Sequence, residues 1–166
     1  GNRLCQILNK RYKNFIQIIG LDSNLYEFKK KIEKKLLLKD IRDTNIKDLD
    51  KIDIVVHLAS LSNDPLGSFN EKLTKEINHK ATTKIAKLSK KAGVKRFVFI
   101  STQSVYGISK YKNKTIREND NNISPITQYA KSKLKAEKEI LKLADKNFCV
   151  IILRPSTVHG PSDNFR

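Results

Sequence analysis

Methionine and tryptophan are absent from this chain, and cysteine (2), proline (4) and glycine (6) are scarce among its 166 residues. Two cysteines, Cys5 and Cys149, cannot build a disulfide framework or a Cys-rich zinc site. Each lies in an apolar-periodic stretch, which leads us to expect buried free thiols in a reducing, cytoplasmic setting. No apolar run approaches the ~20 residues that span a bilayer, so no membrane partner is expected. The start, Gly1-Asn2-Arg3-Leu4, lacks the basic segment, apolar stretch and small-residue cleavage site of a secretory signal. It also lacks an initiator Met, so the chain reads as if it begins partway through something. With 39% hydrophobic and 31% charged residues, the chain can bury a real core, and its length suits one domain over residues 1–166.

Acidic residues are outnumbered two to one, 17 against 34 basic, for a net charge of +17. That balance raises nucleic-acid binding as a possibility. The composition argues otherwise: 27 of the basic residues are Lys and only 7 are Arg, alongside 19 Ile and 14 Asn, the bias of A/T-rich codons. Arginine would dominate if phosphates and base edges were gripped bidentately. No nucleic-acid motif accompanies the lysines, so no specific nucleic-acid partner is expected.

Helix-like and strand-like segments alternate, the pattern of an α/β domain with a parallel sheet. Residues 2–12 read as a helix with Leu4, Ile7 and Leu8 on one face, and Phe15 to Leu21 as a buried strand. Residues 24–35 read as a charged helix and Leu36-Leu37-Leu38 as a short strand. Ile52 to Ala59 is β-branched and reads as the best buried strand. Over residues 70–92, Leu73, Ile77, Ala81, Ile85, Leu88 and Ala92 recur at helical spacing, and Gly93 is placed to stop the helix. A strand is expected from Phe97 to Ile100, a helix over 126–145 and a last strand from Phe148 to Leu153.

In a doubly wound sheet, ligands bind outside the carboxyl ends of the strands. The residues expected there are small, polar or acidic: Asp22-Ser23, Asp40-Ile41, His57-Leu58-Ala59-Ser60, Ser101-Thr102-Gln103-Ser104 and Arg154-Pro155-Ser156. Tyr129 and Lys133 follow, four apart and hence on one helical face. Tyr-x-x-x-Lys alone arises by chance in any lysine-rich chain, but its context here is ordered. The string runs from Ser101-Thr102-Gln103-Ser104-Val105-Tyr106-Gly107 through Glu118 and Pro125 to Tyr129-Ala130-Lys131-Ser132-Lys133. Asn78 in the long helix, Ala92-Gly93-Val94-Lys95-Arg96-Phe97-Val98, Leu153-Arg154-Pro155 and Val158-His159-Gly160-Pro161 complete it. Taken together, these matches resemble the extended short-chain dehydrogenase/reductase family, the NAD-dependent epimerase/dehydratases of nucleotide sugars.

The resemblance implies a Rossmann-like, doubly wound parallel sheet in three α/β/α layers, with NAD as cofactor and a nucleotide sugar as substrate. Thr102, Tyr129 and Lys133 fall at the positions of the catalytic triad, with Ser104 as second choice for the hydroxyl. Tyr129 would take the substrate's proton, since a neighbouring ammonium favours phenolate in a group whose ordinary pKa is near ~10. Lys133 would also hold the nicotinamide ribose, and Thr102 would orient the substrate oxygen. Gly1 resembles the last glycine of a Gly-x-x-Gly-x-x-Gly turn, and Asp22 the acidic residue that binds the adenosine ribose. Asp22 repels a 2′-phosphate and Ser23-Asn24 offer no cation to hold one, which favours NAD over NADP. Asp40 and Ile41 resemble an adenine contact. Leu58, Ala59, Ser60 and Leu153 fall at cofactor-side strand ends, and Asn78 would steady the loop beside them.

Departures from the family pattern narrow the expectation. Dehydratases generally carry Asp-Glu directly after the catalytic Thr. Here the residues are Gln103-Ser104, which favours epimerisation or simple oxidation and reduction. His159 replaces a usual Tyr, and no two histidines have metal-ligand spacing, so no metal is expected. On this resemblance, the first strand of the 3-2-1-4-5-6 sheet and the C-terminal substrate domain are expected to lie outside this sequence. The expectation is therefore a partial NAD(P)-binding domain that binds NAD poorly by itself and forms a homodimer in the full-length protein. The competing readings are a reductase of a sugar nucleotide or small alcohol, and a non-catalytic scaffold that keeps the fold.

Overall fold

A computed structural model describes residues 1–23, 36–62, 70–107, 115–120 and 123–158. The expected helix over 24–35, the turn residues Asn63, Asp64 and Pro65, and His159 with the residues after it lie outside the described set.

Helix α1 (Asn2–Tyr12) starts at Gly1, which has no side chain to cap it, and ends on Lys10 and Arg11, whose charge suits a helix C-terminus. None of its residues is buried. The strand expected from Phe15 shrinks to β1 (Gly20–Asp22), which pairs in parallel with β2 (Leu36–Leu38). The reason is local: the amides of Phe15 and Ile16 bond back to the Tyr12 carbonyl at 2.8 and 3.2 Å, so the helix end continues as a turn and leaves Phe15 87% exposed. Two 3-10 turns that the periodicity did not reveal, Ile41–Asp43 and Ile46–Leu49, follow β2 and bury Ile41 and Leu49. Each is started by a short polar side chain, Asp40 and Asn45, that accepts a backbone N–H from the turn.

Strands β3 (Ile54–His57), β4 (Arg96–Ile100) and β5 (Cys149–Leu153) form an all-parallel sheet in the order β3-β4-β5. Val55 pairs with Phe97, and Phe97 with Val150. Among the described residues β1 and β3 are not paired, so the strands fall into two sheets.

The long helix between β3 and β4 is continuous but not uniform. It runs as α2 (Glu71–Lys75), a π-helical stretch (Glu76–Ala81) and α3 (Thr82–Lys91). Its end is a Schellman motif: Gly93, at φ +82°, donates to Lys90 and Val94 donates to Ser89. Helix α4 (Gln128–Leu141) begins at Thr127, whose hydroxyl accepts from the Ala130 amide.

One face of the β3-β4-β5 sheet presents Val55, Phe97, Phe99, Val150 and Ile152 to Ala81, Ile85 and Ala86 of the long helix and to Ala136 and Ile140 of α4. Phe97 and Phe99 are fully buried, the largest apolar contribution to this core. The opposite face is only partly covered. Ile54 and Val56 are 50% and 37% exposed, so β3 is buried on one face and not on both, as its sequence had led us to expect. Cys149 lies on that open face of β5 and is exposed, and Cys5 is half-buried. The alternation of β5 decides this, because Val150 and Ile152 take the core positions.

Gly107 ends the 3-10 turn Gln103–Tyr106 with φ +68°, and a Cβ there would run into the backbone carbonyl of Ser124. The Gly107→Ala protein is therefore expected to lose at least about 1–3 kcal/mol of stability. Urea unfolding measures this, and an unchanged midpoint would contradict the assigned backbone.

Candidate active site

Because the strands in each sheet are parallel, their carboxyl ends emerge on the same edge, which sorts the expected cofactor residues by environment. At the end of β1, Asp22 and Ser23 are exposed, and the Asp22 carbonyl accepts from the Lys39 amide at 3.0 Å. Past β2, the Asp40 carboxylate accepts from the Arg42 amide at 2.8 Å and from its guanidinium at 3.0 and 2.7 Å. These contacts with Arg42 hold the carboxyl below its ordinary range. Asp40 thus caps a turn, and Ile41 belongs to the core. Gly1 is exposed at the start of α1.

After β3, Leu58 is 39% exposed, while Ala59 and Ser60 are half-buried. Asn78 is completely buried, and its amide group both accepts from the Leu61 N–H at 2.8 Å and donates to the Leu61 carbonyl at 3.0 Å. That reciprocal pair fixes the backbone of the β3 exit from the π-helical stretch, where an altered helical register turns a polar side chain inward. Leu153 at the end of β5 is 48% exposed.

Three sequence-predicted residues converge on β4 and α4. Lys133 is 2% exposed, and its ammonium donates to the Ile100 carbonyl at 2.8 Å, two residues before Thr102. The same nitrogen lies 4.8 Å from the centre of the Phe99 ring and 5.8 Å from that of Tyr129. Tyr129 is half-buried at the open end of this arrangement. Thr102 is buried at the start of the 3-10 turn: its hydroxyl accepts from the Ser104 amide and donates to the Ser104 hydroxyl, both at 3.2 Å. The first and second choices for the catalytic hydroxyl are therefore hydrogen-bonded to each other. Beside them, the Ser101 hydroxyl is buried with no hydrogen-bond partner among the described residues.

Burial pushes the Lys133 ammonium down to about 8, against a smaller upward pull from Glu137. His57, stacked near Phe97 and Phe99 and hydrogen-bonded through Nε2 to the Thr82 hydroxyl at 2.9 Å, is pushed by burial to about 3. It is a neutral core histidine.

Sequence reasoning missed Glu137. It is 1% exposed, one turn past Lys133, and both of its carboxylate oxygens accept from Arg154, at 3.2, 3.2 and 2.7 Å. Arg154 also donates to the Tyr106 hydroxyl at 3.2 Å and the Glu118 carbonyl at 3.1 Å, which ties three loops and strand ends together. The available signal was position: Tyr129, Lys133 and Glu137 recur every four residues and form one stripe of α4. One surface depression among the described residues is lined by Lys75, His79, Lys131 and Lys135 among others. Among the described residues, no helix is long and apolar enough to cross a membrane.

Residues 1–166 match the family described as the NAD dependent epimerase/dehydratase family, and the chain belongs to it. Among curated proteins it is similar to a UDP-glucose 4-epimerase of Vibrio cholerae, 37% identical over 111 residues, which cover 65% of this chain and 34% of that protein. It is also similar to a dTDP-D-glucose 4,6-dehydratase of Dictyostelium discoideum, 30% identical over 97% of this chain and 42% of that protein. Among solved structures, the UDP-glucuronic acid 4-epimerase of Bacillus cereus in complex with NAD is 26% identical with a TM-score of 0.76, over 97% of this chain and 54% of that one. The chain thus spans about a third to a half of the length of these relatives. The fold is the expected Rossmann-like α/β arrangement.

The depressed Lys133 gives a signed pH dependence. From about pH 8 to 10.5 the folded chain has lost a proton that the unfolded chain still binds, so raising the pH through this window stabilises the fold. The contribution is on the order of 3 kcal/mol. Urea midpoints measured across the window should rise more in the wild type than in Lys133→Met, and parallel curves would contradict the burial of the charge.

Proposed function

We propose that the complete protein is an NAD-dependent epimerase acting on a nucleotide sugar, with Thr102, Tyr129 and Lys133 as its catalytic residues. The observation that carries this reading is the Lys133 ammonium, shut away from water, anchored to the end of β4 and 5.8 Å from the Tyr129 ring. A buried positive charge so close to a phenol favours its ionised form, which a general base requires.

The strand ends fit a dinucleotide. Asp22 offers an exposed carboxylate for ribose hydroxyls, and exposed Leu58 and Leu153 offer apolar surface. The Ser101 hydroxyl, which has no partner among the described residues, is a buried polar group at the β4 exit. Gly1, Ser23, Asp40, Ile41, Ala59, Ser60 and Asn78 complete the proposed cofactor side. Asp40 and Asn78 do so by shaping backbone, since their side chains are engaged within the protein. NAD bound there would supply reversible hydride acceptance. Tyr129 would take the proton of a sugar hydroxyl and later return it, and Thr102 would hydrogen-bond the oxygen to keep it in line. Lys133 would hold the positive charge constant through both transfers.

Epimerisation is preferred over dehydration because Gln103-Ser104 follow Thr102 and neither is an acid able to protonate a leaving hydroxyl. Both activities occur among the similar proteins. A homodimer of the complete protein is part of this proposal.

Assayed against UDP-, dTDP- and GDP-sugars, the complete protein should convert one of them without net accumulation of reduced cofactor. Steady growth of absorbance from NADH would instead make it a dehydrogenase. Tyr129→Phe should lower turnover by roughly 100- to 10,000-fold with cofactor binding preserved. Near-normal turnover in that variant would remove the phenol from the mechanism.

A further inference from the structure

We propose that Arg154 is a positioning residue that fixes Thr102 relative to Tyr129, by clamping the turn that carries the one to the helix that carries the other. The inference rests on the catalytic reading given above.

The clamp begins in the backbone. The amides of Ser101 and Gln103, on either side of Thr102, donate to the carbonyls of Leu153 and Pro155, on either side of Arg154, at 2.7 and 3.0 Å. The side chain of Arg154 then uses all three guanidinium nitrogens. Nε and Nη2 donate to the Glu137 carboxylate on α4, at 3.2, 3.2 and 2.7 Å. Nη1 carries two hydrogens and meets two acceptors, the Tyr106 hydroxyl at 3.2 Å and the Glu118 carbonyl at 3.1 Å. The guanidinium carbon also lies 5.0 Å from the centre of the Tyr106 ring. Tyr106 closes the 3-10 turn that Thr102 caps, and its carbonyl accepts from the Ser124 amide at 3.4 Å, shortly before the Thr127 cap of α4. One planar cation therefore joins the end of β5, the Thr102 turn, the segment around Glu118 and the helix that carries Tyr129.

Stability alone does not call for this residue. The side chains of Arg154 and Glu137 are 17% and 1% exposed, and a buried ion pair is often matched by apolar residues of similar volume. A lysine would balance the carboxylate, but as a point charge on a flexible stem it cannot hold three partners at fixed angles. The guanidinium supplies that geometry. Proton transfer between a sugar hydroxyl held by Thr102 and the phenol of Tyr129 depends on it, since a misplacement of about 1 Å costs roughly 100-fold in rate.

Two variants of the complete protein separate positioning from charge balance. Arg154→Lys keeps a cation for Glu137, and Glu137→Leu/Arg154→Met replaces the pair by apolar side chains. Hydrogen exchange without substrate should show the amides of Ser104, Gly107 and Ser124 exchanging about 10-fold faster in both, with the amides of β4 and β5 unchanged. Turnover should fall by roughly 10- to 100-fold while KM for NAD stays within about twofold. Wild-type exchange or wild-type turnover in either variant would overturn the proposal, because balancing or removing the charge would then suffice. Should Arg154→Lys not fold, the double variant decides alone. If the wild-type protein converts no nucleotide sugar, the proposed function fails, while exchange still tests the clamp: unchanged rates overturn it and faster rates uphold it.

Discussion

A lysine ammonium enclosed by the protein is the constraint around which the described structure is arranged. Removing that charge from water is costly unless the interior offers it partners. Lys133 has the Ile100 carbonyl and the face of Phe99. Each partner in turn requires an element. The carbonyl is available because β4 ends at Ile100. Phe99 faces inward by strand alternation, and α4 must lie against the sheet with its Tyr129–Lys133–Glu137 stripe turned toward it. The lost solvation of the ammonium is thus offset only in part by the same packing that forms the core, and the remainder is what lowers its proton affinity.

Much of this was legible from residue order, and the parts that were not have identifiable causes. The parallel strands around Val55, Phe97 and Val150 announce themselves as β-branched and aromatic runs, and Gly93 marks the end of the long helix. The π-helical stretch does not announce itself, because one extra residue in a turn barely disturbs an apolar period of three or four; only the inward-facing Asn78 betrays it. Phe15 and Ile16 read as strand because they are apolar, yet hydrogen bonds back to Tyr12 place them in a turn. β3 reads as buried on both sides since Ile54 and Val56 are as apolar as Val55, but hydrophobicity does not say whether a neighbour arrives to cover each face.

The candidate site shows the same division. The triad positions could be found from motif and order, whereas the duties of their neighbours could not. Asp40 reads as a ligand contact and also as a turn aspartate; its three bonds to Arg42 show that the turn is one of its jobs. Glu137 carries no motif of its own, because a glutamate in a lysine-rich amphipathic helix looks like a solvent-facing partner. Its burial follows from Arg154, seventeen residues later in sequence and adjacent only after β5 has been laid beside β4.

The lysine-rich composition sharpens this point. With 27 lysines in the chain, a tyrosine followed by a lysine one turn on has little meaning as a pattern. Burial separates signal from background: Lys133 is the only buried lysine among the described residues, while its helical neighbours Lys131, Lys135 and Lys138 are exposed. Exposed ammonium groups are screened by water and salt and act on a neighbouring phenol weakly. An enclosed one acts through a medium of low polarity and at fixed distance. The surface charge of the protein can therefore drift with composition without altering the chemistry at Tyr129, provided the enclosure of this one side chain is kept.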